Sequence, residues 1–126
     1  MKSWNLKQTA ADPHQPNILS SRDDARAVLL NLPAGEEMQE HEVHERARLV
    51  VADGEVDVST PDGEKVEAQA GHLFEFDPGE RHTVAARSDA RLLLILTPWP
   101  GDGHPGAMTL EEKANVRERA SEQGRD

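Results

Sequence analysis

Residues 35–54 read GEEMQEHEVHERARLVVADG. A glycine opens the stretch, a charged run holding His41 and His44 fills its middle, and an apolar segment from Leu49 to Ala52 runs into Asp53-Gly54. If the backbone is extended before Leu49, side chains alternate, so His41, Val43, Glu45, Ala47 and Leu49 share one face. His44 then lies on the other face and turns inward only through a bulge or loop. The parity aligns an imidazole and a carboxylate, His41 and Glu45, with an apolar strand. Against that stands the composition of Glu40 to Arg48, where a solvated face is the ordinary role of such side chains.

On either side the pattern is one of short strands. Arg26 to Leu32, RAVLLNL, is apolar enough to be covered on both faces and turns through Pro33-Ala34 into Gly35. Leu49 to Ala52 and Glu55 to Ser59 flank Asp53-Gly54, and Thr60-Pro61-Asp62-Gly63 is a hairpin turn. Lys65 to Ala70 alternates, with Val66, Ala68 and Ala70 on one side. Leu73 to Phe76 follows, broken by Pro78-Gly79 before a strand from His82 to Ala86, and Arg91 to Thr97 closes the series as a buried strand. Short strands at this spacing, separated by Gly and Pro turns, predict a sandwich or jelly roll. Before Asn17 only a short edge strand near Trp4 is expected, because Asp12-Pro13 and Gln15-Pro16 remove amide donors. After Thr97 a Pro- and Gly-rich linker leads to Thr109-Leu110-Glu111-Glu112, a capping-box signature that predicts a helix.

With 126 residues the chain makes one domain, and without cysteine it has neither disulfides nor sulfur ligands, so a metal would need nitrogen and oxygen donors. A formal charge of -10 repels nucleic-acid phosphates and anionic lipid, and no apolar run is long enough to cross a bilayer. The expectation is a cytoplasmic protein with neither nucleic-acid nor membrane partners.

Two blocks resemble the signature of the cupins, small β-barrels whose mouth usually holds a metal ion. In Gly35 to Gly54 the family pattern is matched by Gly35, His41 and Gly54, while its second His position falls on Val43 and its Glu position on Ala47. In Gly71 to His82, GHLFEFDPGERH, the matches are Gly71, Gly79 and His82, with Asp77-Pro78 near the family's proline and Ala86 at its Asn. The resemblance implies an all-β, cupin-type jelly-roll barrel, the double-stranded β-helix, over residues 26–97. Outside it the expectation is an N-terminal extension with an edge strand over residues 1–25, and a Pro/Gly linker with a short C-terminal helix or tail over residues 98–126.

The resemblance carries two metal ligands, His41 and His82. Glu45 is the candidate for the missing carboxylate and His44 a further candidate donor, around a divalent ion drawn from Fe, Mn, Ni, Zn or Cu. Without a metal, His82 would cap the mouth by bonding a backbone carbonyl. His14, between two prolines, and His72 are expected in solvent; Phe74 and Phe76 belong to the core or a subunit contact. Three functions follow. One is a binding module for a weakly held metal or a small organic ligand. Another is an enzyme, either an Fe(II) oxygenase using two His and one carboxylate or a metal-free isomerase with a His proton shuttle. The third is a pairing surface, since single-domain cupins commonly form homodimers through edge strands.

Overall fold

The computed structural model describes residues 1–22, 24–41 and 44–98, leaving out the side chains of residues 39–41. The linker beyond Pro98 and the expected C-terminal helix lie outside the described residues, as does Val43.

Nine strands form the described part: β1 (Asn17–Arg22), β2 (Ala25–Leu32), β3 (Glu37–His41), β4 (Arg46–Asp53), β5 (Glu55–Ser59), β6 (Lys65–Gln69), β7 (Leu73–Phe76), β8 (His82–Ala86) and β9 (Ala90–Thr97). They make two antiparallel sheets, one in the order β1-β2-β9-β4-β7 and the other β3-β8-β5-β6. Strand alternation decides what lies between them. In the first sheet Val28, Leu32, Leu49, Val51, Leu92, Leu94 and Leu96 are buried, and in the second Val56, Val58, Ala68, Val84 and Ala86 answer them. Register builds this core in layers. Val28 pairs with Leu94, Leu94 with Leu49 and Leu49 with Phe74, while across the other sheet Met38 pairs with Val84, Val84 with Val58 and Val58 with Val66. Removing such side chains from water is the main stabilising term of a barrel this size.

The outward face of the second sheet is polar. There Asp57 meets Arg87 at 3.0 Å and Lys65 at 3.7 Å, the wet face expected of an antiparallel sheet.

Three details differ from the sequence reading. The edge strand is Asn17–Arg22 rather than a segment near Trp4, whose side chain is exposed; β1 reaches the ladder of β2 because the prolines at 13 and 16 precede it. Ala70 is exposed, since β6 ends at Gln69 and the chain turns there. In β9 only alternate residues are buried, so Leu93 and Ile95 on the outer face are half covered. The N-terminal segment lies over part of that outer face. Arg91 donates to the carbonyls of Leu6 and Thr9, and Asn31, its register partner on β2, donates to the carbonyl of Ala11. The neighbouring outer residue Leu29 is fully buried.

One end of the barrel is closed by turns drawn tightly together. The Ala34 amide donates to Asp89 Oδ1 at 2.9 Å, the Glu55 amide to Ser88 Oγ at 2.9 Å and the Arg87 amide to the Glu55 carbonyl at 2.8 Å. Gly54 sits in this closure at φ +87°, and a Cβ there would lie 2.2 Å from the backbone oxygen of Asp89. Both the left-handed backbone and the missing side chain are therefore required. Gly54→Ala is expected to lower the unfolding free energy by roughly 3 kcal/mol in a urea titration. Gly63→Ala meets nothing within 4 Å at φ +99°. It should cost only about 1 kcal/mol.

Candidate functional site

The opposite end of the barrel is assembled by a single register row. Ser21 pairs with Arg26, Arg26 with Leu96, Leu96 with Ala47, and Ala47 with Phe76. From Phe76 the row crosses to the other sheet through a ring stack onto His82, with centroids 3.8 Å apart. His82 in turn pairs with His41 across β8 and β3, beyond a bulge in the register after Met38. Two histidines 41 positions apart in sequence thus become direct cross-strand partners. The side chain of His41 lies outside the described atoms, so its place is given by the backbone register alone.

Among the described residues, the buried polar or charged side chains are Arg26, Glu45 and His82, exposed by 6%, 0% and 2% respectively. All three belong to this one end. Glu45 immediately precedes β4 and lies two residues before Ala47, so it continues the inward face of Ala47, Leu49 and Val51 by one step toward the mouth. The expected family Glu position is occupied by buried Ala47, and the buried carboxylate of Glu45 stands two residues before it. Burying a carboxylate is costly unless partners compensate it, which makes such a group a marker of function or of a specific polar network. The charged run around Glu45 therefore does not form a solvated face at that residue. His44 is exposed, on the face opposite to Glu45, and the structure does not bring it into the mouth.

His82 Nδ1 faces the carbonyl oxygen of Glu80 at 3.5 Å, a long contact that favours the tautomer with its proton on Nδ1 and the lone pair on Nε2. A backbone-carbonyl contact, the role expected of His82 without a metal, is therefore present. Arg26, which sequence reasoning treated only as the start of a strand, donates from Nε at 3.3 Å and Nη2 at 3.0 Å to Ser21 Oγ. Its one sequence signal was parity: Arg26 shares the inward face of Val28, Leu30 and Leu32. On the rim, Arg46 pairs with Asp77, and this hydrogen bond raises the Arg46 guanidinium above its ordinary pKa. His14 and His72 are exposed as expected. His14 contacts Glu36 at 2.5 Å, and His72 stacks on Phe74.

Among the described residues no group of three or more His, Cys, Asp or Glu side chains converges as a metal cage. The described donors at the mouth are His82 and Glu45. Two surface hollows, of about 310 and 570 Å³, lie at the closed end among the turns at residues 53–55 and 88–90 and touch neither of them. Neither lining holds a histidine, so the buried donors rather than hollow volume locate the site.

An antiparallel two-sheet barrel, closed by turns at one end and carrying its buried polar groups at the other, is a jelly roll. The chain belongs to the cupin family, whose cupin-domain profile matches residues 28–97. Solved structures share the fold. An RmlC-like cupin protein from Desulfovibrio desulfuricans superposes with a TM-score of 0.70 at 22% identity, covering 78% of this chain and 97% of that one. Protein NMB1881 from Neisseria meningitidis gives 0.66 at 21% identity, covering 76% and 99%. An uncharacterized conserved protein with a double-stranded β-helix domain from Klebsiella pneumoniae gives 0.65 at 17% identity, covering 77% and 89%. No curated protein matches the chain.

The difference in burial between the histidines is directly measurable. Diethylpyrocarbonate modification followed by mass spectrometry should label His14, His44 and His72 readily and His82 far more slowly, until the protein is unfolded in urea. Equal labelling of His82 and His44 in the native protein would contradict this geometry.

Proposed function

We propose that the barrel mouth binds a small organic ligand and holds a divalent metal weakly, with His41, His82 and Glu45 as donors. The observation that carries the reading is the gathering of the buried polar side chains at one end of an otherwise apolar barrel. Two imidazoles and one carboxylate form a nitrogen and oxygen donor set that suits Fe(II), Mn, Ni, Zn or Cu. A bound ion would act there as a Lewis acid toward a ligand oxygen. Glu45 fits this role because the barrel keeps it out of water on the inward side of β4, and His82 fits because Glu80 favours a lone pair on Nε2. His44 is left out by its exposure.

Isothermal titration of the protein with Ni²⁺ or Mn²⁺ tests the donor set. His82→Ala and Glu45→Gln should each weaken binding by about tenfold or more, whereas His44→Ala should leave it unchanged. Binding that is insensitive to the first two substitutions would refute the site. Elemental analysis of protein purified without chelator or nickel resin then separates the chemistries. Stoichiometric iron that disappears in His41→Ala and His82→Ala would point to the oxygenase. Metal-free protein that retains ligand binding would point to a ligand sensor or to the isomerase.

The same reading includes a homodimer in the cytoplasm. Its support is the exposed apolar Leu73, 59% accessible on edge strand β7, and Ile18, 45% accessible on edge strand β1. Unpaired strand edges carrying apolar side chains invite a partner. Light scattering at micromolar concentration should report twice the chain mass, and a monomer would refute the dimer.

A further inference from the structure

We propose that Phe76 is a positioning residue that sets the plane of the His82 imidazole, an inference that rests on His82 being a donor of the site described above. The two rings lie 3.8 Å apart between centroids with 5° between their planes. Phe76 is 4% exposed and His82 is 2% exposed, so neither ring has solvent into which to swing. A close face-to-face sandwich is not the arrangement that isolated aromatic rings prefer, since their quadrupoles favour offset or edge-on contact. The barrel imposes it. On one side, pairing with Ala47 fixes where Phe76 projects. Beneath it, Phe74 lies nearly parallel at 6.2 Å and 6°, and His72 caps the column at 4.6 Å. Phe74 and Phe76 share one face of β7 by strand parity, and His72 immediately precedes the strand.

The consequence for His82 is chemical. Imidazole lone pairs lie in the plane of the ring, so whatever fixes that plane fixes the directions in which the nitrogens can donate. The stack on Phe76 sets the plane, and the approach of Nδ1 to the Glu80 carbonyl sets the rotation within it. Together these two contacts leave Nε2 one direction. A donor held this way binds without first giving up rotational freedom, which is the usual function of groups that support a ligand from behind. Leucine at position 76 would fill much of the volume but offer no flat face.

The test combines nuclear magnetic resonance on the metal-free protein with Ni²⁺ titration calorimetry. In the wild type, the His82 ring protons should be displaced upfield by the face of Phe76 relative to free histidine. The displacement should vanish in Phe76→Leu and persist in Phe76→Tyr. Phe76→Leu should weaken Ni²⁺ binding about tenfold and Phe76→Tyr should bind like the wild type. In a His82→Ala background, Phe76→Leu should change affinity by less than about twofold, because the residue acts through His82. Ordinary His82 proton positions in the wild type overturn the inference without any variant. So does an equal loss of affinity from Phe76→Leu in both backgrounds, or no loss in a protein that His82→Ala weakens. A wild type that binds no Ni²⁺, or binds it regardless of His82→Ala, overturns the metal site itself and the role of Phe76 with it.

Discussion

The structure depends on one constraint: antiparallel registers on β9, β4 and β7 that keep Arg26, Leu96, Ala47 and Phe76 in a single line across a sheet. A slip of one residue in any of these pairings would invert a whole strand, moving its apolar set outward and the charged set inward. The line is secured by the layers behind it, where leucines and valines of both sheets interdigitate, and by the stitched turns of the closed end. The mouth is thus polar because the rest of the barrel is not. Three buried polar side chains at one end are tolerable when the remaining interior is apolar and fixed in register.

Much of this could be read from the residues. Glu55–Ser59, Leu73–Phe76 and His82–Ala86 begin and end where the sequence indicates, because Gly, Pro and Asp turns bracket them and their apolar residues alternate. β1 and β3 carried no such signal. NILSSR and EMQEH are largely polar, and each is a strand only because a neighbour, β2 or β8, offers a ladder to join. The family itself was visible in two glycine- and histidine-bearing blocks, and the profile match over residues 28–97 agrees with it.

The site was legible in its directions more than in its burial. An extended backbone before Leu49 would put Glu45 inward and His44 outward, and in the structure Glu45 is buried and His44 exposed. What composition suggested, a solvated run from Glu40 to Arg48, failed at Glu45 because burial is decided by the neighbouring sheet, which a local count of charges does not contain. Arg26 escaped notice for the related reason that an arginine opening an apolar strand looks like a boundary. Phe76 read correctly as core, yet its contact with His82 joins two strands whose packing no spacing rule encodes.

The N-terminal strap has a consequence for how this chain tolerates change. Arg91 and Asn31 hold it through the main-chain carbonyls of Leu6, Thr9 and Ala11, a group that every amino acid supplies. The grip on the strap is therefore indifferent to which side chains stand at positions 6, 9 and 11, and depends on the two side chains that reach it from β9 and β2. Loss of Arg91 or Asn31 would release the strap from the barrel wall, whereas exchange of the residues whose carbonyls they hold would leave the clasp its acceptors.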